Sequence, residues 1–184
     1  MDEYIGIDSD HPASFRAFLR AHVVAPLGIG IFHGIDGDPD RVDDTTARYR
    51  ALLAEAPIDL CCMGIGENGH LAFNDPPDAD FADPQPIKVV ELDEVSRRQQ
   101  VGEGHFPDID AVPRRAITLT IPRLLDAATV QVVVPEARKA PAVAAALKGP
   151  IAPSCPASIL RRAPHAVLYL DRSAAGELDA WPGQ

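Results

Sequence analysis

The amino-acid sequence predicts an α/β fold, with a mostly parallel sheet that carries helices on both faces. Short apolar runs alternate with longer segments in which apolar residues recur at helical spacing, as expected when helices connect the strands of a sheet. The chain has 184 residues, 46% of them hydrophobic, which suits one domain with an adequate core. No internal repeat or low-complexity linker divides the sequence, so we expect residues 1–184 to form a single domain.

The first half of the chain is predicted to contain two helices and two strands. Phe15 and Phe18 fall on one helical face, and Pro12 suits the first turn of the helix that carries them. Short apolar runs flanked by loop residues predict the strands. The elements expected here are a helix over residues 12–22, a strand over 27–32, a helix over 41–55 and a strand over 58–63.

The second half is predicted to alternate strands and helices more regularly. Threonine and apolar residues alternate from Ala116 onward, and the run that begins at Val130 is almost entirely β-branched, as is typical of strands. An alanine-rich segment that ends at Gly149 indicates a helix. The expected strands cover residues 87–92, 116–121, 130–134 and 166–170, and the expected helices cover 93–100, 122–127, 136–147, 154–162 and a last segment from residue 171.

Composition excludes several classes of function. The chain has 27 acidic and 17 basic residues and a formal charge of −10, which argues against a nucleic-acid partner. Its three cysteines give neither a disulfide framework nor a zinc-binding spacing, and we expect no metal ion and no cofactor. The sequence has no signal peptide and no apolar stretch long enough to cross a membrane, so we expect a cytoplasmic protein without a membrane partner.

The densest set of reactive side chains lies in residues 58–77. An apolar run leads into three glycines within six residues, and His70 follows the last of them. Ligand sites of open α/β sheets lie beyond the carboxyl ends of the strands, where such a turn would stand. Prolines close behind the turn exclude a pyrophosphate-binding helix, and the sequence Gly-Lys-Ser/Thr of a P-loop is absent. A tight connection with a purely structural histidine stays open as the alternative.

Two motifs resemble those of one enzyme family. The segment GIGENGHLAFNDPP, residues 64–77, resembles the signature of the glucosamine-6-phosphate deaminase/isomerase family, and DEYIG, residues 2–6, resembles its second acidic motif. The related 6-phosphogluconolactonases normally lack the Ala-Phe-Asn continuation, so residues 72–74 favour the deaminase side. The resemblance implies a Rossmann-like fold. Further similar segments are residues 91–104, 116–127, 132–140 and 155–160.

The resemblance also implies a reaction and its catalytic residues. The family converts glucosamine 6-phosphate to fructose 6-phosphate and ammonia by acid/base catalysis. His70 matches the acid/base that opens the sugar ring, and Asp2 matches the carrier of the C2 proton. Asn68 and Asp75 match the positions that hold and polarise the histidine. The family usually has Asp at the first of these and Glu at the second, so we expect Asn68 to supply no charge and the shorter Asp75 to reach less far.

Substrate contacts are implied at two further positions. Gly66 belongs to the turn, and Lys139 matches the family lysine that meets the substrate phosphate. From the residues alone, a solvated surface lysine stays open for Lys139, although the start of a helix favours phosphate electrostatically. Glu3, next to Asp2, is expected to support the site from behind or to face solvent.

The family normally begins with a further strand–helix–strand region that carries a phosphate-binding loop rich in Gly, Ser and Thr. This sequence opens at the aspartate motif, so we expect an N-terminally truncated fold that binds phosphate through Lys139 alone and shows little deaminase activity. The expected ligand is a small-molecule sugar phosphate, and assembly into a homo-oligomer is left open. Two alternatives remain: a sugar-phosphate hydrolase like 6-phosphogluconolactonase, and a catalytically weak remnant that binds sugar phosphate.

Overall fold

The computed structural model describes residues 1–76 and 78–178, and these residues form six strands and six α-helices. The strands are β1 (Asp2–Tyr4), β2 (Leu60–Met63), β3 (Ile87–Glu91), β4 (Arg115–Leu119), β5 (Thr129–Val134) and β6 (Ala166–Leu170). The helices are α1 (Phe15–Leu19), α2 (Ala25–Leu27), α3 (Val42–Glu55), α4 (Glu94–Gly102), α5 (Ile121–Leu125) and α6 (Ala140–Lys148). A π-helical segment, Arg20–Val24, joins α1 to α2, and short 3₁₀ helices cover Pro39–Arg41, Ala137–Lys139 and Pro156–Arg162.

The strands divide between two sheets. Strands β2, β5 and β6 form a parallel sheet in that order, and β1, β4 and β3 form an antiparallel sheet. The predicted α/β class is confirmed, together with a parallel sheet connected by helices. The separation of half the strands into an antiparallel sheet is an addition that the sequence did not indicate, because it depends on pairings between distant segments.

The first helix is longer and less regular than predicted. Ser14 begins it, and its hydroxyl accepts a hydrogen bond from the backbone of Ala17. The helical run continues through the π-helical segment to Leu27 and ends at Gly28, which has the left-handed φ of 62°. The strand predicted over residues 27–32 is therefore wrong. No strand lies beside this stretch among the described residues, and Ile31 is 75% exposed.

Most other predicted elements are observed, and their observed bounds differ from the predicted ones by a few residues at each end. The exception is the helix predicted from residue 171, where the described residues 172–177 form turns instead. The rest of that prediction, residues 179–184, lies outside the described residues. Among the helices that the structure describes, none has both the length and the apolar composition needed to cross a lipid bilayer.

Both sheets contribute to one apolar core. Val130, Val132 and Val134 alternate along β5 and are almost fully buried, as one face of a strand requires. The same cluster includes Ile117 of β4 and Val143 of α6, so the antiparallel sheet and the last helix pack on this face. The carboxyl ends of β2 and β5 therefore lie side by side, and the segments that follow them meet at one edge of the parallel sheet.

Candidate active site

The glycine-rich turn after β2 is shaped around the imidazole of His70. A Cβ atom built on Gly66 would lie 2.2 Å from Cε1 of His70, so only glycine leaves room for the ring. The backbone N–H of Gly66 donates to the carbonyl oxygen of His70 at 3.0 Å, which closes the turn. Gly69 has a φ of 84°, and Ala72 also adopts a left-handed φ, of 52°. The turn is therefore a specific conformation rather than an arbitrary connection.

The turn is anchored to the antiparallel sheet on its far side. The side chain of Asn74 is fully buried and donates to the carbonyl oxygens of Leu71 and Leu119, at 2.8 and 2.9 Å. The backbone N–H of Phe73 donates to Oγ1 of Thr118 at 3.1 Å. These bonds fix the segment that follows His70 against β4 and so limit the freedom of the imidazole.

His70 is held from behind by a buried carboxylate and a buried hydroxyl. Nδ1 of His70 lies 2.9 Å from Oδ1 of Asp75 and 3.2 Å from Oγ of Ser96. Ser96 also donates to Asp75 through a short hydrogen bond. Because a carboxylate accepts at Nδ1, the proton of a neutral imidazole belongs on that nitrogen. Nε2 then faces the pocket, with no hydrogen-bond partner among the described residues.

Asn68 acts on the turn rather than on the imidazole ring. Its Nδ2 donates to Oδ1 of Asp75 at 3.0 Å and to Ser96 at 3.3 Å, and its Oδ1 accepts the backbone N–H of His70 at 3.0 Å. The expected loss of a negative charge at this position is real, but the amide supplies a donor that a carboxylate would lack. Asn68 therefore fixes the carboxylate of Asp75 and the backbone of His70 relative to each other.

Asp75 is an anion within this network. Burial acts to raise its pKa, but the hydrogen bonds and charge of His70, with the donors Asn68 and Ser96, lower the pKa overall. The expectation that the shorter side chain would reach less far is wrong, because the carboxylate lies at full hydrogen-bond distance from the imidazole. Its second oxygen, Oδ2, is buried and lacks a partner among the described residues.

Asp2 faces the same pocket from β1, in a different environment. Burial raises the pKa of its carboxyl, against the lowering influence of the N-terminal ammonium and of His70. The neighbouring Glu3 is buried and points the other way, where it accepts hydrogen bonds from Ser14 Oγ and from the backbone of Arg16, at 2.8 and 2.9 Å. Glu3 thus supports the start of α1 and is not solvated.

Lys139 enters the pocket from the segment after β5. Its side chain is 11% exposed, so the alternative of a solvated surface lysine is not observed. Nζ lies 3.5 Å from Oε1 of Glu103, which also accepts from Nε2 of Gln99 at 2.9 Å. Arg138 spans the rim between Glu103, at 3.4 Å, and the neighbouring Glu136, at 2.7 Å. The cation is therefore paired with a carboxylate beside the pocket.

The pocket itself has a volume of about 250 Å³ and brings together four of the six predicted site residues. These four are Asp2, Gly66, His70 and Lys139. Asn68 and Asp75 do not line the pocket but stand behind His70. Sequence reasoning did not single out Ser96 or Glu103, although both lie in residues 91–104, a segment that resembles the family. Ser96 also stands three residues after Asp93, which begins α4 and accepts its backbone N–H.

No metal site accompanies these groups. Among residues 1–76 and 78–178, no cluster of three or more His, Cys, Asp or Glu side chains is placed to hold a metal ion. The arrangement provides instead one imidazole with an exposed nitrogen, one carboxyl of raised pKa and one ammonium. The imidazole and the carboxyl can transfer protons, and an ammonium can pair with a negatively charged ligand.

Comparison with known proteins gives a consistent result. The family model described as glucosamine-6-phosphate isomerases/6-phosphogluconolactonase matches residues 2–169. The glucosamine-6-phosphate deaminase of Streptomyces avermitilis is 38% identical over 183 residues, covering 97% of this chain and 68% of the relative. That of Rhodopirellula baltica is 35% identical, covering 97% of this chain and 70% of the relative.

Solved structures agree with the sequence comparison. A monomeric glucosamine-6-phosphate deaminase superposes with a TM-score of 0.81 at 30% identity, covering 96% of this chain and 72% of that one. The 6-phosphogluconolactonase of Trypanosoma brucei superposes with a TM-score of 0.73 at 17% identity, covering 97% and 72%. The second likeness shows a shared fold alone.

Proposed function

The chain belongs to the family of glucosamine-6-phosphate isomerases and 6-phosphogluconolactonases, and on this premise we propose that it is a glucosamine-6-phosphate deaminase. The proposed reaction takes glucosamine 6-phosphate and water to fructose 6-phosphate and ammonia. The observation that carries the proposal is that His70 lines the same pocket as Asp2 and Lys139 and is paired, from behind the pocket, with Asp75. The 38% and 35% identical relatives carry this name, which supports the choice of reaction.

His70 is proposed to open the sugar ring. Its Nε2 would accept the proton of the anomeric hydroxyl and return it to the ring oxygen, while Nδ1–H stays on Asp75. Asp75 stabilises the imidazolium that forms during this transfer, and its lowered pKa keeps it ionised while it does so. Asn68 and Ser96 hold the carboxylate in place.

Asp2 is proposed to move the proton from C2 to C1 of the open chain. A carboxyl with a raised pKa is a stronger base than an exposed one and can return the proton to the adjacent carbon. The shift leaves an imine at C2, to which water adds before ammonia departs. The net change is balanced, because the proton lost at C2 is gained at C1 and no oxidant is required.

Lys139 is proposed to bind the phosphate, with Gly66 at the wall of the pocket. In the structure Lys139 is paired with Glu103, so a phosphate dianion would replace a carboxylate as the partner of the lysine. We also propose that residues 1–184 act as one domain, supported by the core that both sheets share. Assembly into a homo-oligomer stays a separate hypothesis, which sedimentation would test.

The 6-phosphogluconolactonase reaction is the competing function, supported by the shared fold and by the description of the family, which names both activities. The two are separated by offering millimolar glucosamine 6-phosphate and 6-phosphogluconolactone to the chain in parallel. At this concentration we expect slow release of ammonia and fructose 6-phosphate from the first, and a lactone hydrolysis rate no higher than that of the His70→Ala variant. Lactone turnover without ammonia release would replace the proposal with the hydrolase.

A further inference from the structure

A second pocket, of about 470 Å³, lies between α1, the π-helical segment and the start of α3, and it concentrates positive charge. Four of the chain's 17 basic residues line it, in a protein whose formal charge is −10. Its arginines are Arg16, Arg20, Arg41 and Arg48, and its carboxylates are Asp36 and Asp44. This arginine pocket shares no lining residue with the candidate active site.

Two of the arginines are held by one carboxylate. Arg16 and Arg41 each lie 3.1 Å from Asp36, one on each carboxylate oxygen. Partial burial acts to raise the pKa of Asp36, but the hydrogen bonds from Arg16 and from the Asp38 backbone lower it overall, so the carboxylate is charged. One negative charge therefore orients two guanidinium groups.

The Arg16 side chain is also confined by its neighbours. It is 12% exposed, and a Cβ atom built on Gly34 would lie 3.0 Å from its Cγ and Cδ atoms. Its Nε is buried and has no hydrogen-bond partner among the described residues. The guanidinium is thus fixed in place while part of its donor capacity is unused.

The other two arginines have no carboxylate partner among the described residues. Arg48 donates to the carbonyl oxygen of Gly34 at 3.0 Å and lies over the ring of Tyr49 at 5.1 Å. Arg20 lies over the ring of Phe32 at 5.9 Å. Contacts with neutral groups position these guanidinium groups without neutralising them, so their charge is available to a ligand.

From these contacts we propose that the arginine pocket binds a small anion with two or more negative charges, such as a phosphate ester. Four arginines and two aspartates leave a surplus of two positive charges, which matches a phosphate dianion. Guanidinium groups bind phosphate oxygens through paired N–H donors, and the confined position of Arg16 reduces the entropy lost on binding. The concave shape favours a small molecule over an extended polyanion.

The test uses inorganic pyrophosphate as the probe and calorimetry as the readout. The titrations are made in a Lys139→Gln background, which removes the lysine of the candidate active site as a competing phosphate contact. We expect saturable binding of one equivalent, weakened by added salt because the contact is ionic. Replacing both Arg20 and Arg48 by Gln should raise the dissociation constant about tenfold or more, since two charge-assisted contacts are lost.

The matched control is Arg50→Gln, on the same helix as Arg48 but directed to Gln85 at 2.9 Å and outside the pocket. It should leave the dissociation constant within about twofold, because its charge lies beyond the contact shell. Thermal melting checks that the double variant is folded, and the single variant Arg20→Gln, at an exposed position, serves if it is not. No saturable binding at about 10 mM pyrophosphate, or equal binding by the parent and the arginine variants, would overturn the proposal.

Discussion

Asp2 and Asp75 are two carboxyl groups of one candidate site in opposite electrostatic surroundings. Asp75 receives hydrogen bonds from Asn68 and Ser96 and lies against His70, and these contacts lower its pKa despite burial. Among the described residues no comparable set of side-chain donors contacts the carboxyl of Asp2, and burial raises its pKa. The same residue type therefore has a lowered pKa, which favours the anion, in one position and a raised pKa, which favours the protonated form, in the other.

The difference indicates how the proposed roles are divided. A pair of titratable groups whose pKa values are pushed apart is typical of acid/base sites, where one group transfers protons and the other stabilises charge. In the proposed mechanism Asp75 orients the imidazole and balances its charge, whereas Asp2 transfers the substrate proton. The location of each follows from the fold, since Asp75 belongs to the turn after β2 and Asp2 to β1 of the other sheet.

The largest effect is expected from Asp2→Asn, which replaces a titratable carboxyl group with an amide. The turnover number for ammonia release should fall about a thousandfold, because the amide cannot accept the C2 proton. Solvent deuterium exchange at C2 of the recovered sugar should stop with it. Asp8→Asn, an exposed change nearby, is the control and should exchange normally. Exchange retained in Asp2→Asn would transfer the role to another base.

His70→Ala should lower kcat/KM about a hundredfold or more, because it removes the group that Asp75 orients. Folding should be retained, since the ring lies at the pocket and not in the apolar core. The coupled ammonia assay measures the loss, and circular dichroism checks the fold. His33→Ala, at an exposed histidine, should keep full activity. An active His70→Ala protein would rule out the assignment.

Ser96→Ala weakens the hydrogen-bond network around Asp75 and leaves Asp2 unchanged. Ser96 lies 3.2 Å from His70 Nδ1 and donates to the carboxylate, so its loss should leave the imidazole less firmly oriented. We expect kcat to fall about tenfold with KM nearly unchanged, as for a lost supporting hydrogen bond of about 1.4 kcal/mol. Steady-state kinetics measure both constants. A change in KM alone would place Ser96 in substrate binding instead.

The smallest effect is expected from Glu103→Gln, which leaves both aspartates unchanged. Phosphate would no longer compete with a carboxylate for Lys139, so KM should fall about two- to fivefold, as for a partly exposed ion pair worth up to about 1 kcal/mol. The turnover number should not change. Glu94→Gln, an exposed position on the adjoining helix α4, is the control. A raised KM would mean that Glu103 assists phosphate binding.

How much of the site could be predicted depended on how local its contacts are. His70, Asp75 and Asn68 lie within eight consecutive residues, so the motif already contained most of the network. Lys139 followed only from the resemblance of its segment to the family, since from the residues alone a solvated surface lysine stayed open. Ser96 and Glu103 lie in a segment that resembles the family, but they reach the site only through the packing of α4, and nothing in that segment marked either residue individually. Their roles depend on tertiary structure.

The fold, like the site, was predictable where its structure depends on local sequence and not where it depends on distant contacts. The regular strands and the helix Val42–Glu55 were predictable because apolar spacing reports local structure. The run over residues 27–32 has the composition of a strand, but Gly28 ends a helix there and no neighbouring strand pairs with it among the described residues. The antiparallel pairing of β1 with β4 is likewise invisible to local patterns.

The most direct test of the opposed environments is the free energy of unfolding of Asp2→Asn and Asp75→Asn. Both carboxyls have an ordinary pKa of 3.8 when unfolded. The raised pKa of Asp2 means that its stabilising contribution is present in acid and is lost as the pH rises from 3.8 through the folded value. The lowered pKa of Asp75 means that its contribution is present above 3.8 and is lost as the pH falls through the folded value.

At neutral pH the two substitutions should therefore change stability in opposite directions. Urea unfolding of parent and variants should give a higher free energy for Asp2→Asn, because folding then no longer requires that a carboxylate be either buried or protonated. For Asp75→Asn it should give a free energy lower by about 1–3 kcal/mol, because charge-assisted hydrogen bonds are lost. Opposite signs are the result that this account predicts. Destabilisation by both substitutions, or by neither, would contradict it.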